Sequence, residues 1–429
     1  MNVGYSKTVV VVGAGPAGLM AAIAAARQGA RVQVVEQMAR PGLKLRASGG
    51  GRCNLTNTLP AAEYPDRFGR QGRFLAPALA ACGPDRLREF FVELGVRTHS
   101  PDGVHVFPVT DSAATVLAAL LEEQKRCAVP VRLGVKVTGL VREAGKLQGV
   151  RAAGDVFPAD AVVLAAGGCS YPELGGTGGG YALAQAAGHE IVGPTPALVP
   201  LVTRENWPGE LAGVSLNDVR VWIDLPGRRR QGVTGDLLFT HRGLSGPAIL
   251  DLSGAVAAQL ARRTEVPLRL DLWSGMPAYS GTGERRASAV HLLEKMDRWR
   301  VAQGKKSIVR LLADEGLPRA LAILVVRLAG GASDRTAAQL TGTERQALVD
   351  CLMQCPLTVT ATEGFSRAMV TRGGVALREV NPATLGSKKM EGLFFAGEVI
   401  DVDGPSGGYN LQWAFASGWL SGRQAASRP

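Results

Sequence analysis

Apolar residues fall in short unbroken runs towards both ends of the chain and at helical spacing in one internal block, and this alternation predicts most of the elements. The run Val9-Val10-Val11-Val12 is followed by a glycine-bounded turn, an alanine-rich stretch and a second apolar run that stops at Glu36. Runs of branched residues bounded by glycine are the pattern of strands buried on both faces, and the alanine-rich stretch has the length of a crossover helix. The predicted order is strand, tight turn, helix, strand. Residues 160–168 (DAVVLAAGG) repeat the buried-strand pattern and belong to the same sheet. Residues 131–156 alternate branched with polar positions, which predicts a small antiparallel meander.

From about residue 194 the pattern changes. The proline-bounded runs PALVPLVT and VRVWIDL, and then GDLLFTHRGLSGPAILDLS over 235–253, predict strands of a compact β domain. Between residues 283 and 355 leucine and alanine recur at three- and four-residue steps through AVHLLEKM, IVRLLADEGL, RALAILVVRLAG and ERQALVDCLM, which predicts a helical bundle. LTVTATEGF returns to β character, LFFA at 393–396 is another buried strand, and a helix rich in small residues starts near Asn410. The organisation is therefore nested. Residues 1–193 and 357–429 form a nucleotide-binding domain, residues 194–282 and 350–356 an inserted β domain, and residues 283–349 a helical insert.

The turn Gly13-Ala14-Gly15-Pro16-Ala17-Gly18 gives the first pattern a chemistry. Gly13 permits the turn, Gly15 lets the backbone approach a pyrophosphate, and Gly18 lets the helix pack closely on the sheet, while the helix N-terminus offers unpaired N–H groups and a favourable dipole. Glu36, at the end of the second strand, is placed to bind a ribose hydroxyl pair. The competing reading is a tight strand–helix turn without a ligand.

Residues 9–26 carry no charge and follow Lys7, as in a signal peptide or a short spanning helix. Three glycines and a proline near the start would weaken such a helix, so the expectation is a soluble, cytoplasmic protein with no membrane partner. Six cysteines scattered over 429 residues (Cys53, Cys82, Cys127, Cys169, Cys351, Cys355) give neither a disulfide framework nor a metal-binding pair. The formal charge of +11 would suit a nucleic acid, a membrane surface or an anionic substrate, but the arginines stand singly or in short groups such as Arg228-Arg229-Arg230. A generally basic surface accounts for that distribution.

Two further glycine-rich segments carry candidate chemistry. Residues 40–57 (RPGLKLRASGGGRCNLTN) show no strand or helix periodicity and read as a ligand-clamping loop, with Gly49, Gly50 and Gly51 offering backbone N–H groups and Lys44, Arg46 and Arg52 offsetting phosphate charge. Residues 175–180 (GGTGGG) precede a helix and offer N–H groups to an anionic ligand, but they follow no strand and have no ribose acid downstream, so they are not a second dinucleotide turn.

The strings SGGGRCNLTN, FTHRGLSGPAILDLS, TRGGV and GLFFAGEVIDVDGPSGGYNLQWAFASG together resemble a family of bacterial FAD-dependent oxidoreductases. That family includes aminoacetone oxidase, the 3-dehydro-bile acid reductase and the rRNA dihydrouridine synthase, and the resemblance runs nearly end to end. It implies an α/β fold: a glutathione-reductase-like, Rossmann-type FAD-binding domain interrupted by a β-barrel domain with a nested helical domain. It also implies noncovalent FAD. Gly13, Gly15, Pro16, Ala17, Gly18, Glu36 and Gln37 would hold the ADP half, and Lys44, Gly50, Arg52, Cys53 and Asn54 would lie along the pyrophosphate and flavin. Ala166, Gly167, Gly397, Glu398, Asp401, Gly408, Tyr409 and Asn410 would complete the site, with the last helix aiming its positive end at the flavin N1–C2=O edge.

Cys53 invites a nucleophile or covalent-flavin reading, which its glycine and arginine neighbours disfavour. His241 and Arg242 are the candidates for substrate contact, because histidine titrates near neutrality and His241 would relay a proton while flavin N5 passes hydride. An internal hydrogen bond within the barrel is the competing role for His241. Three function classes follow: a small-molecule redox enzyme acting on a C=C, C=N or amine carbon, which is favoured; an RNA-modifying enzyme that reduces uridine in rRNA to dihydrouridine; and a non-catalytic flavin sensor. NAD(P)H is a candidate transient electron donor.

Overall fold

Strand β1 (Thr8–Val12) is buried because it lies at the centre of a five-stranded parallel sheet, with β2 (Arg31–Val35) on one side and Ala161–Leu164 on the other. Val131–Arg132 and Leu393–Phe395 form the two edges. Val9, Val10 and Val11 are fully buried, and each such side chain removed from water contributes roughly 1.5–3 kcal/mol. Helix α1 (Pro16–Arg27) begins with proline at its first position and buries Leu19, Met20 and Ile23 in the same core. The computed structural model describes residues 6–143, 146–227, 232–274, 276 and 289–427.

The chain divides into two units, Met1–Pro196 with Ala368–Pro429, and Ala197–Arg367. In the first, both chain ends meet in one helix pair: the C-terminal helix Tyr409–Ala426 packs on α1. A β-carbon on Gly418 or Gly422 would lie 2.3 or 2.1 Å from the carbonyl oxygens of Ala17 and Ala21. Only glycine on that face allows the two backbones to touch, as the small residues of this ending led us to expect.

The second unit contains a closed barrel of Leu201–Thr203, Gly243–Ser245, Val233–Thr240, Ser215–Ile223, Val266–Asp271 and Cys355–Thr362 in that spatial order. Helices Ala289–Ala302, Ile308–Asp314, Arg319–Leu328 and Gly342–Met353 supply the internal helical block and share one hydrophobic core with the barrel. Among the described residues, no helix is long and apolar enough to cross a membrane.

Four local expectations change. Residues 40–57 contain a short helix, α2 (Leu43–Ala47), anchored by the buried Leu45, and a strand β3 (Thr56–Asn57). Val131–Arg132 joins the parallel sheet beside β2, and the meander is confined to Val137–Glu143, Lys146–Ala152 and Asp155–Pro158. PAILDLS is the start of a helix, Pro247–Leu260, with proline at its first turn and Ala248, Ile249, Leu252 and Val256 turned to the core. Residues 357–367, assigned from the sequence to the nucleotide-binding domain, lie in the second unit, because Cys355–Thr362 is hydrogen-bonded on both edges within the barrel. The Arg228-Arg229-Arg230 group lies outside the described residues.

Candidate cofactor site

Because the strands of the sheet are parallel, the turns that leave β1, Ala161–Leu164 and Leu393–Phe395 fall on the same edge, the carboxyl end, where α/β sheets bind ligands. The first carries Gly13 to Gly18, the second Ala166 and Gly167, and the third Gly397 and Glu398. The glycines of the first turn do different work. A β-carbon on Gly18 would sit 1.9 Å from the Gly13 carbonyl oxygen, so Gly18 is required by packing. A β-carbon on Gly15 would meet nothing within 4 Å, in a backbone conformation (φ −80°) open to any residue. The protein itself gives no reason for glycine there, whereas a ligand crossing the turn does. Helix α1 starts with no side-chain cap and no acid in its first turn, which leaves its N–H groups and dipole for an anion.

Glu36 is buried at the end of β2, its Oε2 accepting from the Ala14 amide at 2.6 Å and its Oε1 from the Met38 amide at 2.8 Å. The carboxylate thereby braces the turn, and each oxygen keeps a further acceptor position for ribose hydroxyls. The Gln37 amide instead donates to the Gly175 carbonyl at 2.9 Å and ties this corner to the second glycine cluster. Within that cluster Gly176 is a packing residue, since a β-carbon there would lie 1.9 Å from the Ser170 carbonyl oxygen.

Lys44, projecting from α2, reaches Glu398 Oε2 at 2.6 Å and Ser170 Oγ at 2.5 Å. Glu398 Oε1 accepts from Ser170 Oγ and from the Thr371 amide, both at 2.8 Å. Burial pushes the Glu398 carboxyl up, but Lys44 and the hydrogen bonds outweigh it and hold the group below the usual carboxylate range. A positive and a negative group expected on different parts of a ligand are thus joined to each other.

Arg52 is exposed, its guanidinium 4.6 Å from the centre of the Phe107 ring. Cys53 is fully buried, and burial pushes its thiol up to about 12, so it is neither an accessible nor an ionised nucleophile. Asn54 lies between the Gly408 amide and the carbonyls of Thr56 and Val106, in the amide orientation that satisfies all three. Asn410 spends its amide inside the preceding loop, accepting from the Gly404 amide and donating to the Gly404 and Pro405 carbonyls at 2.9 to 3.1 Å. What Gly408, Tyr409 and Asn410 offer outward is therefore backbone: the C-terminal helix begins with no side-chain cap and no acid in its first turn. Tyr409 packs its ring against Tyr64 and Phe68. Asp401 Oδ1 accepts from the Gly373 amide at 3.1 Å, and burial followed by the neighbouring Asp403 raises its carboxyl.

Sequence reasoning missed Ser170, Thr371 and the Arg372–Asp403 pair, in which Arg372 Nε and Nη2 both donate to a buried carboxylate at 2.8 to 3.1 Å. TRGGV and VIDVDG each flag one half of that pair, but nothing local shows that they meet. In the second unit, His241 and Arg242 form the exposed two-residue turn that joins Val233–Thr240 to Gly243–Ser245.

Open space at Gly15, two uncapped helix ends on glycine turns and a braced acid at the end of β2 fit a dinucleotide cofactor. A model of the HI0933-like protein Rossmann domain family matches residues 7–424. The chain belongs to the HI0933-like family. It is 37% identical over 422 residues to the 3-dehydro-bile acid delta(4,6)-reductase of Clostridium scindens, covering 98% of this chain and 99% of that protein. It is 31% identical over 420 residues to the ribosomal RNA dihydrouridine synthase of Escherichia coli, covering 96% of each. Among solved structures, it matches 3-ketosteroid delta1-dehydrogenase from Sterolibacterium denitrificans with a TM-score of 0.53 at 14% identity, over 98% of this chain and all of that one. The 3-ketosteroid-delta4-(5alpha)-dehydrogenase from Rhodococcus jostii RHA1 gives 0.50 at 17%, over 100% and 99%. At these identities the likeness is one of fold. The HI0933-like assignment agrees with the family resemblance read from the sequence.

Proposed function

We propose that this HI0933-like chain is an FAD-dependent oxidoreductase that exchanges hydride between flavin N5 and a small-molecule carbon, and that its substrate is a steroid-like 3-oxo compound with ring double bonds conjugated to the ketone. The observation that carries the reading is the end-to-end identity of 37% with a reductase of such a compound. The open β-carbon direction at Gly15 and the uncapped start of the C-terminal helix support the cofactor part.

Bound FAD would supply a two-electron carrier, and the work of this chain is to bind and orient it. The first turn of α1 holds the pyrophosphate through backbone N–H groups, with Gly13, Gly15, Pro16, Ala17 and Gly18 shaping the approach. Glu36 takes the ribose hydroxyls. Lys44, Gly50, Arg52 and Asn54 line the path towards the flavin, Ala166, Gly167 and Gly397 supply close backbone, and Glu398 and Asp401 take the ribityl hydroxyls. The backbone of Gly408, Tyr409 and Asn410 faces the pyrimidine edge. His241 and Arg242 contact the substrate, with His241 moving the proton that accompanies the two electrons.

The test starts with the purified protein, expected to be yellow with about one FAD per chain released by acid precipitation. Anaerobically reduced protein is then mixed with a 3-oxo-4,6-diene steroid acid while the flavin absorbance is followed, with NADH and NADPH as alternative reductants in parallel. Reoxidation by the steroid supports the reading. A colourless protein that cannot be reconstituted overturns it, and loss of an rRNA dihydrouridine on gene deletion, without steroid turnover, transfers it to RNA. His241→Ala should keep FAD and slow substrate-driven reoxidation by roughly 100- to 10,000-fold; an unchanged rate removes His241 from the reaction.

A further inference from the structure

A second histidine, absent from the motifs, stands beside the loop that starts the C-terminal helix. His105 opens the strand His105–Pro108 and pairs in register with Asn57 of β3. The turn before it is built around Asp102, whose Oδ1 accepts from the amides of Val104 and His105 at 2.9 and 2.8 Å. The other oxygen, Oδ2, lies 2.5 Å from His105 Nδ1. The hydrogen bond from His105, followed by those two amides, holds the Asp102 carboxyl well below its ordinary range, so it stays an anion. An ionised carboxylate at Nδ1 fixes the tautomer: the neutral ring keeps its hydrogen on Nδ1 and presents a bare lone pair at Nε2.

That nitrogen faces the cofactor loop. A β-carbon on Gly407 would lie 3.3 Å from His105 Nε2, and the Asn57 amide donates to the Gly407 carbonyl at 2.9 Å. The next residue, Gly408, has φ 90°, leaves no room for a β-carbon against the Thr56 carbonyl oxygen, and is the uncapped start of the helix. The ring is 39% exposed and so is open to solvent. The other charged or titratable groups around it are Arg52, over the Phe107 ring; His99 on the neighbouring strand, paired with Asp111 beyond the end of His105–Pro108; and Tyr409, whose ring edge also borders Gly407.

We propose that His105, oriented by Asp102, is a proton-accepting residue of the flavin site that takes a proton onto Nε2 when the cofactor is reduced and sets the resulting positive charge beside the pyrimidine edge. This rests on the flavin reading above. A two-electron reductant loses two electrons, and the flavin gains them with one proton from water at N5, becoming negative at N1–C2=O. His105 gains a second proton from water. The Asp102–His105 pair changes from net negative to neutral as the flavin edge becomes negative, so the new charge does not face an unbalanced carboxylate.

The readout is the midpoint potential of bound FAD between about pH 6 and 8, the range in which histidine titrates, measured on the wild-type protein, His105→Gln and Asp102→Asn. A second proton per two electrons gives a slope of about 60 mV per pH unit, against about 30 mV for one proton. The wild type is expected to show the steeper slope over part of this range and His105→Gln the shallower one throughout. His105→Gln should also lose about tenfold in its preference for reduced over oxidised FAD, a fall of about 30 mV at neutral pH. Asp102→Asn, which keeps the ring but removes its anchor, should lower the potential in the same direction. A merely structural His105 would alter FAD affinity or thermal stability and leave the slope alone. Wild-type slopes in both variants with FAD bound overturn the inference. Absence of FAD from the wild-type protein overturns the flavin reading instead.

Discussion

Replacing Gly15 with alanine should separate ligand space from packing space. The new methyl group would meet no protein atom within 4 Å, and φ −80° with ψ −177° suits alanine. The cofactor-free protein should therefore fold normally and gain about 0.4–1 kcal/mol, because alanine restricts the unfolded chain more than glycine does. Binding should suffer, since the methyl stands where a pyrophosphate must approach the start of α1. Losing one or two charge-assisted hydrogen bonds costs about 1.5–3 kcal/mol each, so a total of roughly 1.5–6 kcal/mol weakens FAD by about 10- to 25,000-fold. Gly18→Ala is the contrast: its methyl would lie 1.9 Å from the rigid Gly13 carbonyl, and overpacking of this kind costs about 1–3 kcal/mol or more in stability. Quenching of FAD fluorescence on titration gives Kd, and thermal unfolding of cofactor-free protein gives stability. Wild-type FAD affinity in a folded Gly15→Ala protein would refute the reasoning, as would two variants that lose stability alike.

Two more outcomes follow from the site. Because the Glu398 carboxyl is held below its ordinary value, its contribution to stability is fully present above the unfolded-state value of about 4.3 and is lost as pH falls through the folded one; Glu398→Gln should therefore cost about 1–3 kcal/mol at neutral pH, and urea unfolding should show the deficit narrowing in acid. Cys53, with its thiol pushed up to about 12, has roughly one thiolate in a hundred thousand at neutral pH, so the native protein should leave it unalkylated by iodoacetamide, and intact mass after acid release should show no flavin attached.

The first strand, turn and helix were legible because every step has a local signature: an apolar run, a glycine turn, proline at the helix start and an acid at the end of β2. The PAILDLS segment was misread for a local reason too, since a short apolar run fits both periods and only Pro247 behind Gly246 marked a helix start. Val131–Arg132 is too short to carry any period, and its place in the parallel sheet is decided by pairing with Val34 and Val35. The Lys44–Glu398 pair spans 354 positions of sequence, and neither glycine-rich string names its partner. Asn410 was legible as part of the site but not in its use, because an amide beside a glycine loop serves a ligand or the loop equally well until the chain path is known.

The geometry also explains why so long an insertion leaves the cofactor site coherent. Three glycine turns that are far apart in sequence share an edge because their strands are parallel neighbours, and the last strand pairs directly with Ala161–Leu164. The edge is then locked by backbone contact between α1 and the C-terminal helix and by the Gly397 amide donating to Ser417 Oγ at 2.9 Å. A β-carbon on Gly397 would come within 2.8 Å of Ala17, so the third turn sits directly against the first turn of α1. Residues 197–367 therefore enter and leave a frame whose register is set by the sheet and by glycine-to-backbone packing. The N–H groups at the starts of α1 and of the C-terminal helix are thereby positioned by contacts made within the first unit alone.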